Sequence, residues 1–265
     1  MGVSLKNIRK AIWMRQESDP QMSSAWLLLY ILPSIVSIVA VGYALISLLN
    51  FAYTIDPLAP TYTYDEFPWG FVLSVIALGL SGLISFVMLI LLTYMLVKRR
   101  TTHFMRQKFL SDDLLVTLVS LAKTKGVEVE AVLFPIEGTV REANAEETEK
   151  GEILWAILSA VIPFAQWYVY YFLMTDFYTH ERREDRFWED LGRALNKLGI
   201  NFSVPQRTGA MPERSFVLYL ILTVVTMGLF GVYWIYVLLK DPNDHFNYHV
   251  QAESQLLAAL ESVAI

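Results

Sequence analysis

Two long stretches without charge limit what this chain can fold into. Residues 26–49 and 71–97 contain no Asp, Glu, Lys, Arg or His over 24 and 27 residues, respectively. A helix of about 20 apolar residues is long enough to cross a hydrocarbon core of roughly 30 Å. We therefore predict an all-α integral membrane protein, with one transmembrane helix at 25–49 and a second beginning at residue 71.

The distribution of positive charge indicates which parts of the chain face the cytoplasm. None of the 21 Lys and Arg residues lies in 50–70, which is rich in aromatic residues and whose charged residues are Asp56, Asp65 and Glu66. Cytoplasmic loops of membrane proteins carry an excess of Lys and Arg. We thus predict that 50–70 is an external aromatic loop and that both termini are cytoplasmic. Residues 1–24 are predicted to form a basic amphipathic helix on the membrane surface.

An internal repeat is indicated by the spacing of tyrosines and histidines. Three of the four histidines follow a tyrosine by nine residues: Tyr94/His103, Tyr171/His180 and Tyr236/His245. Leucines follow each of these histidines in one register, namely Leu114, Leu118, Leu191, Leu195, Leu256 and Leu260. We predict three copies of one unit, at 71–125, 152–199 and 214–265. Each copy is an apolar segment followed by an amphipathic cytoplasmic helix, and the leucines should form a helix seam, within the chain or across subunits.

The apolar segments of the second and third copies contain helix breakers that the first copy lacks. Pro163 and Gln166 occupy the register positions of Gly228 and Gly231. Proline removes a backbone donor, and glycine weakens a helix by about 1 kcal/mol relative to alanine. Four full spans would also place the basic residues of 182–214 outside. We therefore predict two transmembrane helices plus two broken, re-entrant hairpins, with a kinked four-span bundle as the alternative. Residues 126–151 are predicted to be an acidic linker with a strand-like excursion, and 200–213 a second linker.

A short motif lies in the third copy. The sequence from Thr226 to Tyr236 reads TMGLFGVYWIY. It resembles the T-x-G-[IL]-[YF]-G-x-Y-W-x-Y signature of a prokaryotic membrane-protein family of unknown function, and the likeness covers about 214–260. The resemblance implies a location in the cell membrane of a prokaryote. It implies no catalytic residues.

The one set of side chains with metal-ligand spacing lies on the last helix. His245, His249 and Glu253 are spaced i, i+4 and i+8, so they share one helix face and could ligate zinc or another transition metal. We favour a different interpretation, a polar helix face near the lipid headgroups. The repeated histidines (His103, His180 and His245) could likewise converge on one axis, but we favour a position for each ring at the membrane interface. No cofactor is therefore expected.

The remaining features exclude several functional classes. The four apolar segments contain no ionisable Asp, Glu, Lys, Arg or His, whereas coupled transporters normally place such a group in the membrane. The chain has no phosphate-binding loop. The basic stretch 98–108 borders a span, so nucleic-acid binding is not needed to explain it. We expect a non-enzymatic membrane scaffold or accessory subunit that contacts the lipid bilayer and forms a homo-oligomer or joins a membrane complex. The alternatives are a channel or small-solute pore and, third, a membrane-bound metalloenzyme that uses His245, His249 and Glu253.

Overall fold

A computed structural model describes residues 2–54 and 68–263. Within these residues the regular structure is entirely helical, and two helices are long and apolar enough to cross a membrane. The prediction of an all-α chain with two such helices is confirmed. The chain divides into two compact units: Ser24–Leu92 forms one, and Met1–Ser23 together with Thr93–Ile265 forms the other. We call the second the discontinuous unit.

The unit Ser24–Leu92 contains α3 (Ala25–Thr54) and the first part of α4 (Trp69–Lys125). The hydroxyl oxygens of Ser37 and Ser81 lie 2.7 Å apart and link the two helices. Large apolar side chains are exposed along both, among them Leu28 and Ile38. Such a surface is unfavourable in water and suits the interior of a bilayer. Most of the predicted external loop, residues 55–67, lies outside the described residues.

The discontinuous unit contains all the other helices. Its elements are α1 (Gly2–Trp13), α2 (Arg15–Ser18), the remainder of α4, α5 (Val129–Glu146), α6 (Glu152–Val161), α7 (Ala165–Lys197), α8 (Phe216–Val225) and α9 (Leu229–Glu261). The long helices α4, α7 and α9 continue from apolar sequence into sequence with a one-sided apolar stripe. That stripe is what a helix needs in order to pack against other helices.

The apolar stripes of α4, α7 and α9 meet in one core. It contains the six leucines of the predicted seam, each at most 3% exposed: Leu114, Leu118, Leu191, Leu195, Leu256 and Leu260. Burial of one such side chain stabilises a fold by about 1.5–3 kcal/mol. Trp188 of α7 and Ile136 of α5 complete the same cluster. The seam thus lies within a single chain.

Two predicted segments differ from their structure. Helix α1 does not present its apolar face to a membrane, because Ile8, Ala11 and Ile12 are buried in the core of the discontinuous unit. Residues 129–146 form helix α5 instead of a strand-like excursion in a linker. The valines of this segment favour a strand locally, but Val132 and Ile136, one helical turn apart, are buried in the core. Tertiary burial therefore decides the conformation.

The second and third apolar segments are broken where the sequence contains Pro163 and Gly228. Helix α6 ends at Val161 and α7 begins at Ala165, while α8 ends at Val225 and α9 begins at Leu229. The Trp155 ring packs 5.1 Å from that of Tyr168, and the Tyr219 ring 5.0 Å from that of Phe230. Since these partners lie on either side of each break, both helix pairs are antiparallel. Helix α4 continues without a break through Phe86 and Leu89, which the predicted repeat aligns with Gly228 and Gly231.

Candidate metal centre

Four histidine rings and one carboxylate converge inside the discontinuous unit. The residues are His103 of α4, His180 and Glu184 of α7, and His245 and His249 of α9. All are buried, the histidines to 2% exposure or less. One nitrogen or oxygen atom from each lies within 4.8 Å of those from the others. Buried polar groups need hydrogen-bond partners or a bound ion.

The helix geometry explains why two donors come from each of α7 and α9. Side chains four residues apart lie on the same face of a helix, so His180 and Glu184 point together, as do His245 and His249. Helix α4 presents His103 and Gln107 at the same spacing, and the Gln107 amide nitrogen lies 2.7 Å from His249 Nδ1. Each of the three helices therefore directs two polar side chains to one region.

The distances between the donor atoms are those expected around a single ion. His103 Nε2 lies 3.2 Å from the Nε2 atoms of both His180 and His245. His249 Nε2 lies 3.1 Å from His245 Nε2 and 2.9 Å from Glu184 Oε2. Imidazole and carboxylate ligands bind zinc at about 2.0–2.2 Å, which separates neighbouring ligand atoms by roughly 3.0–3.5 Å. The spacing of neighbouring donors therefore matches that around one transition-metal ion, while the widest separation, up to 4.8 Å, requires an ion to draw the donors slightly together.

Each histidine has a carboxylate on its other ring nitrogen. The four distances from Nδ1 to a carboxylate oxygen are 3.0 Å for His103–Asp19, 2.8 Å for His180–Glu147, 3.0 Å for His245–Glu181 and 3.1 Å for His249–Glu253. Three of these contacts, at His180, His245 and His249, are hydrogen bonds, whereas Asp19 faces His103 Nδ1 without hydrogen-bond geometry. An ionised carboxylate only accepts hydrogen bonds, so it favours a proton on Nδ1 and makes Nε2 the ring atom available to a metal ion. Carboxylates orient metal-bound histidines in this way.

Arginines hold these outer carboxylates in place. Arg106 donates to Asp19 and to Glu253 at 2.7 Å, and Arg183 donates to Glu147 at 2.5 Å. Two further ion pairs are Arg207–Glu181 at 3.2 Å and Arg15–Glu253 at 3.2 Å. Five carboxylates, counting Glu184, thus face four guanidinium groups, and one protonated histidine balances the remaining negative charge. A cation at the centre could replace that proton.

Burial and neighbouring charges shift the pKa values of the histidines in opposite directions. Burial lowers the pKa of His103 to about 4 and that of His245 well below its ordinary value. Burial also disfavours a charge on His180, but Glu184 and Glu147 outweigh it and raise the pKa of His180 to about 9. The four rings therefore do not all become protonated together at neutral pH. A metal ion can satisfy all four Nε2 atoms at once.

The structure places the residues of the predicted face in two layers. His245 and His249 belong to the inner set, whereas Glu253 lies outside it, against His249 Nδ1 and Arg106. The interfacial position predicted for His103 and His180, as for His245, is wrong, since these rings are buried in protein. The other interpretation, that the three histidine rings converge on one axis, describes their arrangement. The four predicted break positions lie outside the cluster, namely Pro163, Gln166, Gly228 and Gly231.

The candidate site predicted from the sequence includes Glu253, but not Glu184, Asp19, Glu147 or Glu181. A signal for Glu184 exists in the repeat register, because it follows His180 by four residues as His249 follows His245. The outer carboxylates Asp19, Glu147 and Glu181 follow no shared spacing. They are found only when the helices are assembled.

Comparison with known proteins gives one finding. Residues 214–264 match a family described as a domain of unknown function (DUF4234). This region contains α8 and α9, and therefore His245, His249 and Glu253. The match agrees with the resemblance to a family of unknown function noted from the sequence. No curated protein and no solved structure matches the chain.

Proposed function

We propose that this chain is a membrane-anchored metalloprotein that holds one divalent transition-metal ion in the histidine cluster. The observation that carries the proposal is the convergence of four histidine Nε2 atoms and a Glu184 oxygen within 4.8 Å, with a carboxylate on every Nδ1. The anchor is the pair of long apolar helices α3 and α4.

Energetics favour an ion at this position. Without one, four histidine Nε2 atoms crowd at 3.1–3.2 Å in a buried space, and a single shared proton cannot give each of them a partner. A buried acceptor without a partner costs about 1–3 kcal/mol. A cation is a shared partner for all of them. Imidazole ligands suit zinc, copper, iron and nickel. Five protein donors exceed the four of a structural zinc site, which favours an ion with five or six ligands.

Metal analysis of the purified full-length chain tests the proposal. After purification in detergent without chelator, we expect about one transition-metal ion per chain, measured by elemental mass spectrometry. His245→Ala and His180→Ala should each remove most of this metal. The matched control is Asp244→Ala, because Asp244 adjoins His245 but is exposed. Equal metal content in wild type and both histidine variants would exclude the site.

The placement of the helix pairs in the membrane extends the proposal. The break between α6 and α7 exposes Phe164, and the break between α8 and α9 exposes Met227 and Leu229, each to 78% or more. Large apolar side chains at two turns favour insertion into lipid. We infer that both helix pairs enter the membrane from the cytoplasmic side as re-entrant hairpins. The membrane is the cell membrane of a prokaryote, and both termini are cytoplasmic.

An oligomeric scaffold is the second candidate. The exposed turns favour it, because re-entrant backbone needs cover from protein as well as from lipid. The seam leucines give it no support, since they are buried within one chain. Crosslinking of the chain in native membranes distinguishes the two candidates: a scaffold predicts specific crosslinks through residues 162–164 or 226–229. A single-chain metalloprotein predicts none there.

A further inference from the structure

A pocket between α4, α5 and α7 reaches one edge of the histidine cluster. The space inside it that water-sized groups can occupy is about 40 Å³. Two of the five inner donors, His180 and Glu184, line it, whereas the other three do not. Its outer wall contains small side chains, among them Ser111 of α4 and Ala143 of α5. A small molecule could therefore reach the ion at the His180/Glu184 edge.

The donor count leaves room for such a molecule. Iron, cobalt and nickel ions accept six ligands in octahedral geometry, and the chain offers five. His180 Nε2 and Glu184 Oε1 lie 3.4 Å apart at the edge of the cluster that faces the pocket.

The charges around the pocket favour an anion. Lys108 and Arg183 line it, as do Glu147 and Glu184. The Lys108 ammonium donates to the Glu147 carbonyl oxygen at 2.8 Å, which holds the amine close to the edge of the cluster. The two positive and two negative side chains balance each other. A divalent ion then leaves the pocket positive, and a buried positive charge attracts small anions.

We propose that the bound metal ion takes a small exogenous anion as its sixth ligand, at the His180/Glu184 edge and through this pocket. The inference rests on the proposed function. It identifies the centre as a metal site with one coordination position open to an external ligand. An anion of two or three heavy atoms has the size that fits the pocket.

Azide titration of the cobalt(II)-loaded, full-length chain tests the inference. We expect azide to shift the visible absorption bands of the cobalt ion in a saturable way. Ala143→Phe should weaken azide binding at least 10-fold while cobalt still binds at one ion per chain. The matched control is Ala145→Phe, on the same helix but exposed and outside the pocket, which should bind azide like wild type. Ser111→Leu fills the pocket from the opposite wall and should act like Ala143→Phe.

The possible outcomes distinguish a failure of the anion site from a failure of the metal centre. Cobalt bands that do not change at high azide concentration would show a closed coordination sphere and overturn the inference alone. Azide binding of wild-type strength in both Ala143→Phe and Ser111→Leu would overturn the route through this pocket. Failure of the wild-type chain to bind cobalt would overturn the metal centre itself.

Discussion

At the scale of single residues, the centre depends on side chains that do not contact the ion. Glu181 is the clearest example. One carboxylate oxygen faces His245 Nδ1 at 3.0 Å, and the other accepts a hydrogen bond from the Met211 backbone nitrogen at 2.6 Å. Arg207 lies 3.2 Å away. These contacts fix the carboxylate, which in turn fixes the orientation and the tautomer of His245.

Glu181→Gln should therefore weaken metal binding without removing a ligand. The amide is a poorer acceptor, so the Nδ1 proton of His245 is held less firmly and its Nε2 is a weaker donor to the metal. We expect a loss of about 10–100-fold in affinity, measured by competition with a chromophoric chelator. Glu189→Gln, on the same helix but exposed, should leave affinity unchanged. Indistinguishable affinities for the two variants would contradict the assigned role.

Another residue-scale feature explains a buried arginine. Pro242 lies inside α9 and has no N–H, so the Leu238 carbonyl oxygen loses its usual helical partner. Arg99 Nη2 donates to that oxygen at 2.7 Å, and Arg99 Nη1 donates to Asn243 Oδ1 at 2.9 Å. Burial lowers the pKa of Arg99 to about 9. Arg99 thus replaces the hydrogen bond that the proline removes.

This pairing predicts that Arg99 and Pro242 are energetically coupled. Arg99→Met leaves a buried carbonyl without a partner, which costs about 1–3 kcal/mol. In a Pro242→Ala background the helix can supply the missing N–H, so the same change should cost at least about 1 kcal/mol less. Thermal unfolding of the wild type, the two single variants and the double variant measures the difference. A change of about 1 kcal/mol shifts the melting temperature by roughly 2–4 °C. Strictly additive effects would show that the arginine serves another purpose.

At the scale of helices, the breaks separate each apolar segment into two short helices. Gly228 has φ +95°, in the left-handed region that side chains disfavour. Its N–H donates to the Thr223 carbonyl oxygen at 2.8 Å, which closes the end of α8. Gly231 lies within the first turn of α9. A Cβ built there would lie 3.4 Å from Thr223 Cγ2, an ordinary contact.

The two glycines should consequently respond differently to the same substitution. Gly228→Ala should destabilise the chain by about 1–2 kcal/mol, because alanine is strained in the left-handed conformation. Gly231→Ala should be neutral or slightly stabilising, since alanine favours a helix interior. Melting temperatures of the two variants in one detergent test this order. A larger loss for Gly231→Ala would mean that α9 begins elsewhere.

Features that repeat along the sequence were predictable, and features assembled from distant residues were not. The spans, the two breaks and the six seam leucines each follow a local pattern of hydrophobicity or of helix breakers. Helix α5 contradicts its local valine pattern because Val132 and Ile136 are buried by other helices. Glu253 follows His249 by one helical turn, as predicted, but Asp19, Glu147 and Glu181 reach the histidines from residue 19, from just after α5 and from α7, so no spacing predicts them. The predicted interfacial position of the histidines is wrong for the same reason.

At the scale of the whole molecule, the discontinuous unit restricts the topology of the chain. Glu147, just after α5, contacts both His180 and Arg183 of α7. His249 of α9 lies 2.9 Å from Glu184 of α7. These buried contacts join segments that a four-span bundle would place on opposite sides of the membrane. One compact body of this kind is expected to lie on one side.

Single-cysteine labelling of the cysteine-free chain tests this topology. Cysteines at the exposed positions Ala145, Arg186 and Thr208 should all react with a membrane-impermeant maleimide only after the cytoplasmic face is opened. A residue of the α3–α4 loop, such as Thr63, should react from outside intact cells. Reaction of Arg186→Cys from outside while Ala145→Cys is protected would establish the four-span alternative.

The long sequence separation within the metal centre has a consequence for biosynthesis. Asp19 and Glu253 both contact Arg106, yet 234 residues separate them in the chain. At about 5–20 residues per second, the ribosome needs roughly 12–47 seconds to make the second after the first. The nascent chain cannot complete its cluster during that interval, when its apolar helices already require a bilayer. The proposed metallation would therefore follow translation and insertion, and the metal ions available at that moment would determine which element the finished protein carries.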